Sequence, residues 1–139
     1  MREAVGPIVD IIMENHSFTD ALSAVQLAQA VEKYNIFYFE EPNTPTPKTS
    51  RYLKEKINIP LANGERLYTR WQYAECFEDM TIQVAQPDIG NTGGLTEAKK
   101  ICDMAHVYDV SVEAHVCATP FSTDVTLHPG GGDPEFRHP

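Results

Sequence analysis

Acidic and histidine side chains follow five apolar segments of the sequence at nearly constant intervals. Glu14, Glu40, Glu65, Asp88 and His115 are separated by 26, 25, 23 and 27 residues. Such an interval is the length of one strand-helix unit, so these side chains are expected at equivalent positions on neighbouring parallel strands. Parallel α/β folds build their sites at the carboxyl ends of the strands. The spacing therefore predicts a single cluster of titratable side chains at one edge of a sheet.

The residue types in this cluster indicate two kinds of chemistry. Carboxylates that converge from adjacent strands repel one another, and a hard divalent cation removes the repulsion. Oxygen ligands favour Mg²⁺ over Zn²⁺, so Glu14, Glu40 and Glu65 form a candidate magnesium site. The next two strands would bring Asp88 beside His115, where the carboxylate fixes the imidazole tautomer and leaves the second nitrogen to accept a proton. Taken singly, each of these residues is more often a solvated side chain, and only the ordered set favours function.

Strand and helix patterns alternate along the chain. Short β-branched segments bounded by turn residues predict five strands, at residues 7–13, 36–39, 59–62, 81–86 and 110–114. Apolar spacings of three and four, together with the residues that bound them, predict helices over 19–34, 50–56, 70–77 and 95–108, the first with Thr19 as a candidate N-cap. Repeated strand-helix units require a parallel sheet with helical crossovers, which is an α/β fold.

Composition limits the class of protein. The 139 residues suit one domain at most, and a hydrophobic content of 42% allows a packed core. A formal net charge of −9 argues against nucleic acid as a partner. No apolar stretch reaches the length of about 18 residues that spans a membrane. Three cysteines without metal-ligand spacing suit reduced thiols, and they predict a cytoplasmic location.

Four short motifs carry a resemblance to a known family. In chain order they are Phe39-Glu40-Glu41-Pro42, Gly64-Glu65-Arg66, Gln86-Pro87-Asp88 followed by Gly93-Gly94, and Ala114-His115. In this order and spacing, residues 1–128 resemble the barrel domain of the enolase superfamily. The resemblance is greatest to the mandelate racemase/muconate lactonizing enzyme branch, and within it to sugar-acid dehydratases of the galactonate and mannonate type.

The resemblance implies a partial TIM (β/α) barrel, with about strands 3–7 of the usual eight and without the capping domain. A complete barrel needs about 250 residues, so five strands would leave two strand edges unpaired. We therefore expect little or no activity for these residues alone. Residues 129–139 read as an irregular tail. We hypothesise a one-nucleotide insertion near codon 129, because a shifted frame can encode an apolar eighth strand; sequencing the coding DNA tests this.

The resemblance also implies a role for each site residue. Glu14, Glu40 and Glu65 match the Mg²⁺ ligands on the third, fourth and fifth strands, although position 14 is more often aspartate in the family. Asp88 and His115 match a His-Asp dyad, and His16 matches the general acid of the dehydratases, where racemases carry asparagine. The implied reaction removes the proton alpha to a carboxylate and expels the beta hydroxyl as water, giving a 2-keto-3-deoxy sugar acid.

Several alternatives stay open at this point. The chain could be a non-catalytic metal-binding or regulatory homologue, or a coding relic without function. A complete small flavodoxin-like domain is disfavoured, because no phosphate loop follows the first strand. The motifs do not choose among galactonate, gluconate, mannonate and aldarate as the small-molecule partner, nor do they decide whether the chain forms homo-oligomers.

Overall fold

The computed structural model describes residues 1–117 and 119–130 of the chain. Five short strands form one parallel sheet in the order β1-β2-β3-β4-β5, so each strand lies beside its neighbour in sequence. The strands are β1 Ile12–Glu14, β2 Tyr38–Glu40, β3 Leu61–Asn63, β4 Val84–Ala85 and β5 Ser111–Val112. This arrangement confirms the predicted α/β class with a parallel sheet.

Helices lie between successive strands, before β1 and after β5. They are α1 Arg2–Val5, α2 Ala21–Val31 with a 3₁₀ turn at Glu32–Tyr34, α3 Pro47–Lys56, α4 Thr69–Glu78, α5 Ile89–Thr92, α6 Leu95–Val107 and α7 Pro120–Gly130. The described residues include no helix that is both long and apolar enough to cross a lipid bilayer. The tail predicted for 129–139 starts inside α7, because residues 129 and 130 are still helical. Residues 131–139 lie outside the described part of the chain.

The start of α2 corrects one expectation. Asp20, rather than Thr19, is the N-cap, and its Oδ1 accepts hydrogen bonds from the backbone N–H groups of Leu22 and Ser23 at 2.9 and 3.0 Å. An N-cap side chain supplies an acceptor that the first helical turn lacks. The Thr19 hydroxyl instead donates to the carbonyl oxygen of Pro42 at 2.9 Å. Thr19 therefore joins the chain before α2 to the loop after β2.

Alternate residues of each strand point to opposite faces of the sheet. On the outer face, Phe39 and Leu61 pack with residues of α2 and α3, among them Ala24, Ala28 and Leu53. Ala85 and Val112 pack with α4 and α6 in a second apolar cluster. On the inner face, Tyr38, Ala62 and Val84 form a smaller cluster. The helices cover one face, so the inner face is left to carry the site.

A hydrogen bond across the inner face shows that the sheet is curved. The Tyr38 hydroxyl donates to Oε2 of Glu113 at 2.8 Å, although β3 and β4 separate β2 from β5. Side chains stand roughly perpendicular to a sheet, so groups this far apart meet only when the inner face is concave. Curvature of this kind is what brings the carboxyl ends of β1 to β5 toward a common point.

Gly64 is required where β3 approaches the segment after β4. A Cβ at this position would lie 1.9 Å from the carbonyl oxygen of Gln86, and the backbone of Gln86 cannot move aside without breaking its own N–H hydrogen bond to Asn63. Glycine allows such a close approach because it has no Cβ. The close contact fixes the position of Glu65, the next residue, relative to β4.

Candidate functional site

The first two candidate carboxylates lie side by side at the carboxyl ends of β1 and β2. Glu14 and Glu40 are register partners in the parallel pairing of these strands. Burial raises the pKa of Glu40, a hydrogen bond from Gln86 opposes this rise, and the negative charge of Glu14 adds to it. The site therefore holds two like charges close together, one of them partly removed from water.

The third carboxylate, Glu65, lies two residues beyond β3 and contacts both candidate catalytic histidines. Its Oε2 is 3.0 Å from Nε2 of His115, and its Oε1 is 3.3 Å from Nδ1 of His16. Arg66 Nη2 also lies 3.3 Å from Oε1. The Glu65 side chain is largely buried, so these three contacts satisfy a carboxylate that water barely reaches.

His115 is held from its other side by Asp88. The Nδ1 atom of His115 lies 2.9 Å from Oδ2 of Asp88. Because a carboxylate only accepts hydrogen bonds, Nδ1 donates in this contact, and Nε2 points toward Oε2 of Glu65 at 3.0 Å. Asp88 is itself fixed, since its Oδ1 accepts from the backbone N–H of Asn91 as the N-cap of α5. The imidazole is thus oriented through a helix end.

His16 stands on the loop between β1 and α2, closer to solvent than His115. Its Nδ1 is 3.7 Å from Oε1 of Glu14 in addition to its contact with Glu65. The backbone at His16 and at Ser17 has positive φ values of 49° and 58°, an unusual conformation for residues with a side chain. Such strain is kept only where surrounding contacts impose it, and it is concentrated at functional sites.

The donor types fit Mg²⁺, whereas the carboxylates are not gathered around one point. Three carboxylates from adjacent strands supply the oxygen ligands that Mg²⁺ prefers, and a cation would relieve the repulsion between Glu14 and Glu40. Among the described residues, however, no group of three acidic, histidine or cysteine side chains is placed to hold a metal ion. Glu65 is turned toward the histidines and Arg66 instead.

Two further residues of the site were not among the predicted ones. Glu41, the residue after the predicted ligand Glu40, is fully buried. Gln86 bonds to Glu40 from the segment after β4. No sequence pattern indicates that a second glutamate is buried there.

The family of the chain follows from comparison with known proteins. A family model for the enolase C-terminal domain-like fold matches residues 1–139. The chain therefore belongs to the enolase superfamily, as the four motifs predicted. The parallel sheet with its crossover helices corresponds to the C-terminal barrel portion of that superfamily, so the predicted partial barrel is confirmed.

Solved structures of similar proteins agree with this assignment. An enolase superfamily member from Salmonella Typhimurium is 52% identical, with a TM-score of 0.95 over 99% of this chain and 36% of its own. A protein from Zymomonas mobilis ZM4, provisionally described as a dehydratase, is 52% identical with the same TM-score, over 99% of this chain and 35% of its own. The 3,6-anhydro-D-galactonate cycloisomerase from Zobellia galactanivorans is 30% identical, with a TM-score of 0.90 over 99% of this chain and 39% of its own.

These comparisons also show how much of each relative the chain covers. The chain spans between about one third and two fifths of the length of these three structures. The similarity covers the strand ends that carry the candidate site, so the residues described above occupy a barrel segment of an enolase superfamily fold. The remaining length of the relatives has no counterpart in the 139 residues.

Proposed function

We propose that the chain is the barrel segment of a Mg²⁺-dependent dehydratase that acts on a sugar acid. One observation carries this proposal: His16 and His115 both contact the single carboxylate of Glu65, at 3.3 and 3.0 Å. Two imidazoles at one point of a strand-end cluster can supply both a base and an acid to one substrate. The relative from Zymomonas mobilis provisionally described as a dehydratase supports the same reaction type.

In the proposed reaction, Nε2 of His115 removes the proton from the carbon next to the substrate carboxylate. Asp88 keeps the imidazole in the tautomer that leaves Nε2 able to accept this proton, and it stabilises the positive charge that then forms. His16 donates a proton to the hydroxyl group that leaves from the neighbouring carbon. The enol product then tautomerises to a 2-keto-3-deoxy acid.

Glu14, Glu40 and Glu65 would hold the Mg²⁺. When bound, Mg²⁺ stabilises the negative charge that develops on the substrate carboxylate. For Glu65 this role requires that its carboxylate leave the contacts with the two histidines, which would free Nε2 of His115. The metal and the base are therefore linked through one side chain.

The proposal includes partners and location. A sugar acid is the proposed small-molecule partner, and the net charge of −9 disfavours nucleic acid. The cytoplasm is the proposed location, since Cys76, Cys102 and Cys117 are reduced thiols rather than disulfide partners.

Two measurements test the proposal. Calorimetric titration should show Mg²⁺ binding by the 139-residue chain, and Glu40→Gln should abolish it, whereas the exposed control Glu55→Gln should leave it unchanged. Binding that survives Glu40→Gln would refute the proposed ligand set. Loss of water from a panel of aldonic and aldaric acids should be slow or absent with these residues alone, because they span about a third of their relatives. Rapid turnover would refute that expectation.

The same titration decides between catalysis and metal binding alone. The limited coverage of the relatives favours, for these residues by themselves, a protein that binds Mg²⁺ without turnover. In a longer polypeptide that restores elimination, replacing His115 with Asn should remove turnover and preserve Mg²⁺ binding. Unchanged turnover in that variant would exclude His115 as the base.

A further inference from the structure

We infer that Glu41 is a positioning residue that holds together the three strand ends of the proposed metal site, an inference that rests on the proposed function. Glu41 follows Glu40 directly and lies one residue beyond the end of β2. Its side chain is fully buried there, with 0% of its surface exposed. A buried carboxylate is costly unless hydrogen bonds or opposite charges compensate for the lost water.

The compensating partners of Glu41 come from the loops after β1 and β3. Oε1 accepts the backbone N–H of Gly64 at 3.0 Å, and Oε2 accepts the hydroxyl of Ser17 at 2.8 Å. The Arg66 Nε atom lies 3.8 Å from Oε2, so a guanidinium partly balances the charge. One side chain just after β2 thus binds the loops that follow both neighbouring strands, β1 and β3.

Each of these partners is close in sequence to a proposed ligand. Ser17 follows Glu14 by three residues, Glu41 follows Glu40 directly, and Gly64 precedes Glu65 directly. The main chain adds a further hydrogen bond between these loops: the Ser17 N–H donates to the carbonyl oxygen of Glu41 at 2.7 Å.

The backbone conformation supports a role beyond packing. Glu41 has a φ value of 42°, in the left-handed region, as do His16 and Ser17 in the loop that it contacts. A non-glycine residue in this region costs about 1 kcal/mol or more, and surrounding contacts must impose it. The Glu41 carboxylate supplies such contacts on both sides. Without them, we expect Glu14 and Glu65 to lose their fixed separation from Glu40.

The test compares Mg²⁺ affinity in three variants of the full chain. Glu41→Gln keeps the shape of the side chain, but its amide has a single acceptor oxygen, so one of the two hydrogen bonds is weakened and the other loses its acceptor. Ser17→Ala removes the hydrogen bond from the Ser17 hydroxyl to Glu41 without changing any charge. Glu55→Gln is the matched control, because it makes the same chemical change on the exposed surface of α3.

Partners that orient metal ligands typically contribute about 10- to 100-fold in affinity. Calorimetry should therefore show Mg²⁺ binding weakened about tenfold by Glu41→Gln and severalfold by Ser17→Ala, with Glu55→Gln within about twofold of the wild type. A residue that served stability alone would lower the melting temperature of the variants and leave the affinity of the folded protein unchanged. That result would overturn the inference.

Hydrogen exchange of the Gly64 amide, followed by NMR, provides a readout that needs no metal. It should be faster in Glu41→Gln than in the wild type, and unchanged in Glu55→Gln. If the wild-type chain binds no Mg²⁺, the proposed function fails, and the exchange rates alone then decide whether Glu41 ties the loops. Equal rates in the wild type and Glu41→Gln would overturn the inference even if Mg²⁺ binds. If Glu41→Gln does not fold, the affinity of Ser17→Ala decides, and a value equal to that of the wild type overturns it.

Discussion

Replacement of Tyr38 by Phe removes the hydroxyl group that bonds across the concave inner face of the sheet. The hydroxyl donates to Oε2 of Glu113 at 2.8 Å, and the tyrosine is 3% exposed. A hydrogen bond to a charged group contributes about 1.5–3 kcal/mol. Because Glu113 is only partly buried, its carboxylate can regain water in the variant. We therefore expect the lower end, a loss of about 1.5 kcal/mol in the free energy of unfolding near pH 7.

The same variant makes a prediction about pH. Burial, followed by the hydrogen bond to Glu113, raises the pKa of Tyr38 above the ordinary value of 10.0. A group whose pKa is raised on folding stabilises the folded state fully below its unfolded pKa, and that contribution is lost as the pH rises toward the folded pKa. The advantage of the wild type should thus be constant between pH 7 and 9 and shrink above pH 10.

The size of this change can be worked out. Each pH unit above 10 removes up to about 1.4 kcal/mol of the difference, so an advantage of about 1.5 kcal/mol disappears near pH 11. Urea unfolding followed by circular dichroism measures both proteins at each pH. Tyr52→Phe on the surface of α3 is the matched control, and its stability should stay within about 0.5 kcal/mol of the wild type. Equal stabilities at pH 7, or a difference that persists at pH 12, would refute the reasoning.

Four other perturbations have defined outcomes. Gly64→Ala should destabilise the chain by about 3 kcal/mol or more in urea unfolding, because the added Cβ would meet the Gln86 carbonyl oxygen at 1.9 Å. Leu53→Ala, in the apolar cluster between α2, α3 and the sheet, should cost about 3 kcal/mol in the same assay. Asp20→Ala should lower the melting temperature at pH 7. Hydrogen bonds from Ser23 lower the pKa of Asp20, so the stabilisation that this carboxylate contributes is lost when it is protonated. The difference in melting temperature should therefore vanish as the pH falls below 3.8. Glu40→Gln should raise the melting temperature at pH 7 relative to the wild type. Burial raises the pKa of Glu40, so its ionisation above pH 4.5 destabilises the fold. Equal melting temperatures of the variant and the wild type throughout pH 4 to 8 would contradict this.

The order and direction of the strands could be read from the sequence because the apolar segments recur at a regular interval. Every predicted strand except the first is close to the paired residues. The first predicted strand begins at Pro7, and its apolar pattern includes residues 7–11. Pairing with β2, however, begins only at Ile12, which lies opposite Tyr38. Ile8 is 91% exposed. An apolar pattern indicates what could be buried, whereas pairing requires a partner strand in register, which the local sequence does not contain.

The candidate site was predictable for a related reason, and only in part. The side chains that end the strands must share one edge of a parallel sheet, so their approach follows from topology. The contact of Glu65 with both His16 and His115 does not follow in this way, because it depends on side-chain rotamers and on the loop after β1. The burial of Glu41 depends on donors 23 residues away on Gly64 and 24 residues away on Ser17. No local pattern encodes such partners.

The adjacent acids Glu40 and Glu41 show how one dipeptide can meet two opposed demands. A cation site needs carboxylates whose charge is not already neutralised, and such groups weaken the fold when they are partly buried, as the raised pKa of Glu40 indicates. Precise placement of those groups needs a rigid support, and each carboxylate oxygen of Glu41 accepts a hydrogen bond from a neighbouring loop. The two needs are met by adjacent residues, Glu40 at the end of β2 and Glu41 one position beyond it. The instability that Glu40 brings and the order that Glu41 supplies are thus parts of the same proposed metal site, and Mg²⁺ should stabilise the wild type while leaving Glu40→Gln unaffected.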